Sequence, residues 1–266
     1  MLQLGKIIAT FREVLMAKCY YPGCESHANS KEHIPPKSFF PDSKKTNLMT
    51  VKSCKLHNNE KTKNDLYALI NICTNCIVEK KDDAVEVFET RVKPQLMHNN
   101  EALFKKVFSN LTKERYGYRF KVDRERLDSF FNCLTHGILY NKTKKKINPE
   151  NYFLSHLYMN LDERNEDGSI HDEATRTKMF WAENFLGNSS IADILEFKTK
   201  SKNGYSEDVY KVKIIGADFL EAIKSDDLTS SITVIHEFYG HFVVVSLLTR
   251  VTAFENSFAH FEVKSI

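Results

Sequence analysis

The sequence predicts an α+β protein: a small cysteine-rich front unit, residues 1–80, followed by an α+β domain of helices and an antiparallel sheet, residues 81–266. Three observations predict it. Five of the six cysteines fall in the first 80 residues, in a stretch rich in Pro, Asn and Lys with only short apolar runs. The middle of the chain carries apolar residues at helical spacing. Beyond about residue 190 the period shifts toward two, the signature of strands.

Each element has its own local reason. Leu4, Ile7, Ile8, Phe11, Val14 and Leu15 recur at helical spacing and predict a short amphipathic helix at the start. "LMTV" (48–51) reads as a brief strand. "NNEKTKNDLYALINIC", from Asn58, reads as a helix with Leu66, Leu69, Ile70 and Cys73 on one side. The front unit is therefore strand, turn, strand, helix, too small to build its own core, and such a unit needs a staple. Next come "DDAVEVFETRV" and "NNEALFKKVFSNL", helical candidates separated by Pro94. "DRERLDSFFNCLTHGILY" spaces Leu127, Phe130, Phe131, Leu134 and Ile138 as one helical face, with Asp123 as N-cap. "ILEFKTKSKNGYSEDVYKVKII" predicts a hairpin, and "SITVIHEFYGHFVVVSLL" two further strands around Gly240.

Composition excludes several classes. Hydrophobic content of 42% and aromatic content of 12% are ample for packed cores, which argues against a disordered chain. No run approaches a membrane-spanning helix, and the start is broken by Lys6 and Arg12 and lacks a small-residue cleavage site. The expected location is cytoplasmic, with no membrane partner. In such a reducing compartment, clustered cysteines favour metal over disulfides. The net charge of +3 is uneven, with 12 Lys+Arg against 7 Asp+Glu in residues 1–80 and 26 against 28 in the rest. A basic front end suits a polyanionic partner.

Four ligand-type residues bracket "KEHIPPK". Cys19-x4-Cys24 precedes it and Cys54-x2-His57 follows, with 29 residues between the pairs. Three thiolates and one imidazole satisfy tetrahedral Zn²⁺. A structural zinc bound in this way contributes on the order of 10 kcal/mol, enough to fold a coreless hairpin. Ile34, Pro35 and Pro36 force an extended exit after His33.

The ordered set C-x4-C, EHIPP, NL, C-x2-HN-x2-K resembles the HNH endonucleases in their zinc-stapled form, built on a ββα-metal finger. The resemblance covers about residues 16–68. It implies a phosphodiester hydrolase with His33 as general base, a catalytic Mg²⁺ (or Mn²⁺) held by Glu32 and Asn58, and Asn47 bracing the loop that orients the histidine. Lys61, one turn along the helix from Asn58, and Lys37 would meet nucleic-acid phosphates. Glu32 stands where many members carry Asp, and the last motif residue is Asn rather than His. The implied substrate is double-stranded DNA, with restriction or phage defence as a setting. The C-terminal domain would regulate, position substrate, or join a second copy or protein partner. Two other readings use the same residues: a zinc-dependent nucleic-acid-binding module that does not cut, and an RNA-cleaving toxin or effector.

Other features read as structural. Cys73-x2-Cys76 is a possible second zinc half-site, but its place late in the helix favours apolar packing, and His27 is a possible substitute ligand. "HEFYGH" lacks the four-residue spacing on a helix that a metalloprotease needs. Arg124 and Arg126 fit an exposed helical face, and Cys133 and Trp181 fit the core.

Overall fold

The computed structural model describes residues 17–45, 48–115, 117–162, 171–181, 194–198, 209–215 and 231–251, with isolated positions at 169, 200–201, 204–205 and 223. The expected N-terminal helix, Asn47 and the side chain of Trp181 lie outside the described residues.

The α+β expectation holds: helices pack with small antiparallel sheets. The front unit opens with strand β1 (Ser30–His33), paired antiparallel to β2 (Thr50–Ser53), which starts two residues later than expected. A wide π-type turn, Leu56–Glu60, leads into helix α1 (Thr62–Val78). The expected helix is thus present, but its first turn is under-wound. A cis peptide joins Ile34 to Pro35, and Ile34 and Pro35 are buried.

Helix α2 (Asp82–Val87) continues through a π turn, Phe88–Val92, into α3 (Lys93–Val107). Pro94 does not separate two helices as expected. It sits in the first turn of α3, directly after the π turn. The break falls further on, at His98–Glu101, where Asn99, Asn100 and Glu101 have positive φ. Arg91 ties this layer to the finger, its guanidinium donating to the carbonyls of Ser38 (2.8 Å) and Phe40 and to Asp42 (3.1 Å).

A small hairpin, β3 (Thr112–Glu114) with β4 (Gly117–Arg119), precedes the long helix α4 (Arg124–Thr143). Asp123 caps α4, accepting from the Arg126 amide at 3.3 Å. Leu127, Phe130, Phe131, Leu134 and Ile138 are all buried. Helix α4 has two neighbours. On the finger side the Tyr20 hydroxyl donates to the Cys133 carbonyl (3.2 Å), Asn141 donates to the Thr50 carbonyl (3.3 Å), and Gly137 lies against Ile34. Phe130 also stacks on Phe39 of the finger, and on the other side Phe131 meets Phe238 and Tyr158.

The remaining elements are β5 (Tyr152–Tyr158), helix α5 (Asp172–Trp181), β6 (Ile194–Lys198), β7 (Lys200–Ser201), β8 (Gly204–Tyr205), β9 (Tyr210–Ile215), β10 (Ile232–Phe238) and β11 (Phe242–Arg250). Five of them form an antiparallel sheet in the order β5-β11-β10-β9-β6. Both predicted hairpins are present, β6 pairing with β9 and β10 with β11 across the turn at Gly240. His236 lies in a strand and His241 in the turn, so no helical face presents both. Strand β5 was not foreseen, although Tyr152, Leu154, His156 and Tyr158 alternate across "NYFLSHLY".

The apolar core is continuous from the finger through α1 and α4 to the sheet. Cys73 and Cys76 sit within it, the first donating to the Tyr239 hydroxyl and the second to the Phe238 carbonyl. Tyr239 in turn donates to the Phe39 carbonyl at 2.7 Å. Helix α4 and the sheet also share a buried chain of polar groups. Tyr210 meets His236 (2.9 Å), His236 meets Thr135 (3.0 Å), and Thr135 donates to Ser246 (3.3 Å). Ser246 meets His156 (2.8 Å), which meets Asn132 (3.0 Å). With Tyr210 as first donor and Asn132 Oδ1 as last acceptor, every link is satisfied by neutral histidines.

Candidate metal centre and the adjoining histidine

Backbone geometry brings the four predicted zinc ligands together. A tight turn at Gly23 (φ 67°) folds Cys24 back toward Cys19, and the amide of Cys19 donates to the Ser26 carbonyl at 3.0 Å. Tyr20 then hydrogen-bonds through its amide to the Lys52 carbonyl (3.0 Å), laying this knuckle along β2. Cys54 follows β2 directly, and the under-wound turn presents His57.

The ligand atoms of Cys19, Cys24, Cys54 and His57 all lie within 4.8 Å of one another. Cys24 Sγ is 3.8 Å from Cys54 Sγ, while His57 Nδ1 is 3.3 Å from Cys54 Sγ and 3.6 Å from Cys19 Sγ. Tetrahedral bonds to zinc predict about 3.8 Å between sulfurs and about 3.6 Å between sulfur and nitrogen. The donor set and its spacing therefore fit zinc. The Tyr21 ring stacks on His57, with centroids 4.1 Å apart and planes 13° apart, which fixes the imidazole in its ligating orientation. Burial pushes the Cys19 thiol up to about 11, partly opposed by the amides of Tyr21 and Cys54. A cation is what would hold such a sulfur as thiolate. His27 is exposed and outside the cluster.

Beside this centre, β1 divides its side chains between two faces by strand alternation. Ser30 and Glu32 face inward with Val51 and Ser53; Lys31 and His33 face outward with Thr50 and Lys52. Glu32 is 2% exposed. Its Oε1 accepts from the Lys61 ammonium and shares the single Tyr20 hydroxyl proton (3.2 Å) with the Cys133 carbonyl, while Oε2 is buried without a hydrogen-bond partner among the described residues. Asp65, one turn beyond Lys61, lies 3.5 Å from the same ammonium. Burial raises the Glu32 carboxyl above its usual range, with Lys61 pulling against it. Burial would lower Lys61, but Glu32 and Asp65 outweigh it and hold the ammonium above its ordinary value.

The expected Mg²⁺ ligands are thus committed to different partners. Glu32 is bound by Lys61, and Asn58 donates to the Ser30 hydroxyl at 2.9 Å. These contacts engage Glu32 Oε1 and Asn58 Nδ2, and not the oxygens Glu32 Oε2 and Asn58 Oδ1. Lys61 is also turned inward, its side chain 9% exposed, and does not project toward a phosphate as expected. The reason is local: Lys61 and Asp65 are one helical turn apart, and the buried Glu32 draws the ammonium down between them.

His33, at the end of β1, is partly exposed and makes no hydrogen bond among the described residues. Partial burial and then the Lys37 ammonium lower its pKa, leaving the ring neutral at neutral pH. Lys37 is exposed. Arg124 and Arg126 are structural: Arg124 donates to the His156 carbonyl (3.0 Å), and Arg126 stacks over Tyr67 at 4.1 Å.

Sequence reasoning missed Tyr20, Tyr21 and Asp65. Only Asp65 left a signal, its four-residue spacing from Lys61. No protein family, curated protein or solved structure matches the chain. No helix among the described residues is long and apolar enough to cross a membrane.

Proposed function

We propose that the protein is a nuclease of the HNH type, cutting phosphodiester bonds on the exposed side of a zinc-stapled ββα finger with His33 as general base. The observation that carries this reading is the placement of His33. The hairpin ends on an imidazole that makes no hydrogen bond among the described residues, followed by the buried Ile34 and Pro35. A ring nitrogen available in this way can take a proton from water as that water attacks phosphorus. Zinc at Cys19, Cys24, Cys54 and His57 would supply rigidity rather than chemistry. The resemblance of the motif set implies DNA as substrate.

The pairing of Glu32 with Lys61 favours a second reading, a zinc-stapled nucleic-acid-binding module that does not cut. Supercoiled plasmid separates the two. The zinc-loaded protein with Mg²⁺ or Mn²⁺ is expected to nick or linearise it, and His33→Ala, with the same zinc content, is expected to lose the activity. Equal cutting by both proteins, or cutting by neither under either metal, would sink the nuclease reading. Cleavage of RNA with plasmid left intact would point to an RNA-directed effector.

A further inference from the structure

The described lysines of the finger fall into two sets. Lys18, Lys44, Lys45 and Lys61 each pair with a carboxylate. Lys31, Lys37, Lys52, Lys55 and Lys63 are exposed and pair with none among the described residues. The first three are clustered. Lys31 and Lys52 are direct cross-strand partners on the outward face of the hairpin, and His33 and Thr50 are the next outward pair. Lys37 follows His33 by one short turn, close enough to depress its protonation. Like charges placed directly opposite in a ladder oppose pairing, so the free hairpin carries a repulsion that a bound anion would relieve.

We infer that the outward face of the hairpin is a phosphate-backbone surface, on which Lys31 and Lys52 bracket one phosphate of a nucleic-acid duplex and Lys37 meets a neighbouring one. This inference rests on the nuclease reading for its choice of partner and deepens it. It moves the contact from Lys61, which is turned inward, to the face that carries His33. Of the four outward strand positions only His33 carries a ring, so the hairpin offers no row of rings of the kind that captures single strands. It offers ammonium groups at strand spacing, which suits backbone contact without base readout. A backbone phosphate held at Lys31–Lys52 would lie two residues along β1 from His33, at the next outward position, which places the scissile region beside the imidazole.

The test is fluorescence anisotropy on the full chain, with zinc and without added Mg²⁺ or Mn²⁺, using a labelled DNA duplex of about 20 base pairs over a range of salt. Lys31→Gln/Lys52→Gln is expected to weaken binding by about tenfold or more and to reduce the salt slope by about one, for the one phosphate lost. Its melting temperature should stay level or rise, because the change removes a repulsion. Lys105→Gln/Lys106→Gln, on the exposed end of α3, serves as the control and should leave affinity unchanged. Unaltered affinity and slope in the hairpin variant would overturn the surface, as would equal losses in the control. Preference for single strands would overturn the choice of a duplex, and an equally bound RNA duplex would support the backbone surface while widening its partner. Should the double variant melt early, Lys52→Gln alone, with about half the effect on slope, decides the matter. The outcomes separate from those of the nuclease reading. Plasmid cutting with unaltered binding in the variant removes the surface alone. Binding that depends on the two lysines, with no cutting under any metal, removes the nuclease alone.

Discussion

Lys61 illustrates how one buried charge reorganises a site. The spacing of the motif allows its side chain to reach outward, yet the structure buries it between Glu32 and Asp65. A buried ion pair is costly to break from one side, because the remaining charge is left without compensation, whereas removing both partners together is close to neutral. Lys61→Met should therefore lower unfolding free energy by about 3–5 kcal/mol, Glu32→Gln should cost less because Asp65 still faces the ammonium, and the double variant should recover part of the Lys61→Met loss. Denaturant titration of the four proteins gives the coupling. If Glu32→Gln left stability intact and only weakened the response of cleavage to Mg²⁺, the carboxylate would be a cation ligand instead of an internal ion-pair partner.

Helix α4 shows the same principle for an element. It is the shared wall of the finger and the sheet, and Gly137 is where it comes nearest to the finger. A Cβ at that position would lie 3.0 and 3.2 Å from two carbons of Ile34 and 3.4 Å from the Tyr20 ring. Ile34 and Tyr20 are both about 1% exposed, so neither has space to retreat. Gly137→Ala gains about 1 kcal/mol of helix propensity and meets an overpacking cost of about 1–3 kcal/mol. Net destabilisation is expected, read as a lowered melting temperature. In an Ile34→Ala background the same change should become stabilising, since the obstruction is gone and the propensity gain remains. A loss of equal size in both backgrounds would refute the close contact as the cause.

For the whole molecule, the buried polar chain between α4 and the sheet sets an acid limit. Burial pushes His156 down to about 3, with His136 and Arg124 adding to the shift, and drives His236 well below its usual range. His136 itself, with Nδ1 buried and unpartnered, is pushed down to about 4. Each of these histidines has a folded pKa below its unfolded one. The stability they contribute is therefore complete above about pH 6.5 and is lost as pH falls from there toward 3. The melting temperature should drop steeply between pH 6 and pH 4, a window fixed by those depressed values. His156→Gln should melt lower than the native protein at pH 7 but lose less on acidification. Parallel pH profiles for the two proteins would remove this histidine from the account.

Much of this was legible in the sequence because it is local. The paired spacing of Cys19, Cys24, Cys54 and His57, the N-cap at Asp123, the apolar face of α4 and the hairpins of the last third are set by neighbours within a turn or two. Long-range packing decided the rest. Tyr20 reaches Cys133 across 113 positions and Tyr239 reaches Phe39 across 200, and no local pattern encodes such partners. The sequence by itself determined the gathering of Cys19, Cys24, Cys54 and His57 and the histidine at the end of β1. Only the tertiary structure decided that Glu32 and Lys61 satisfy each other, because the cost of burying a charge depends on what else is buried beside it.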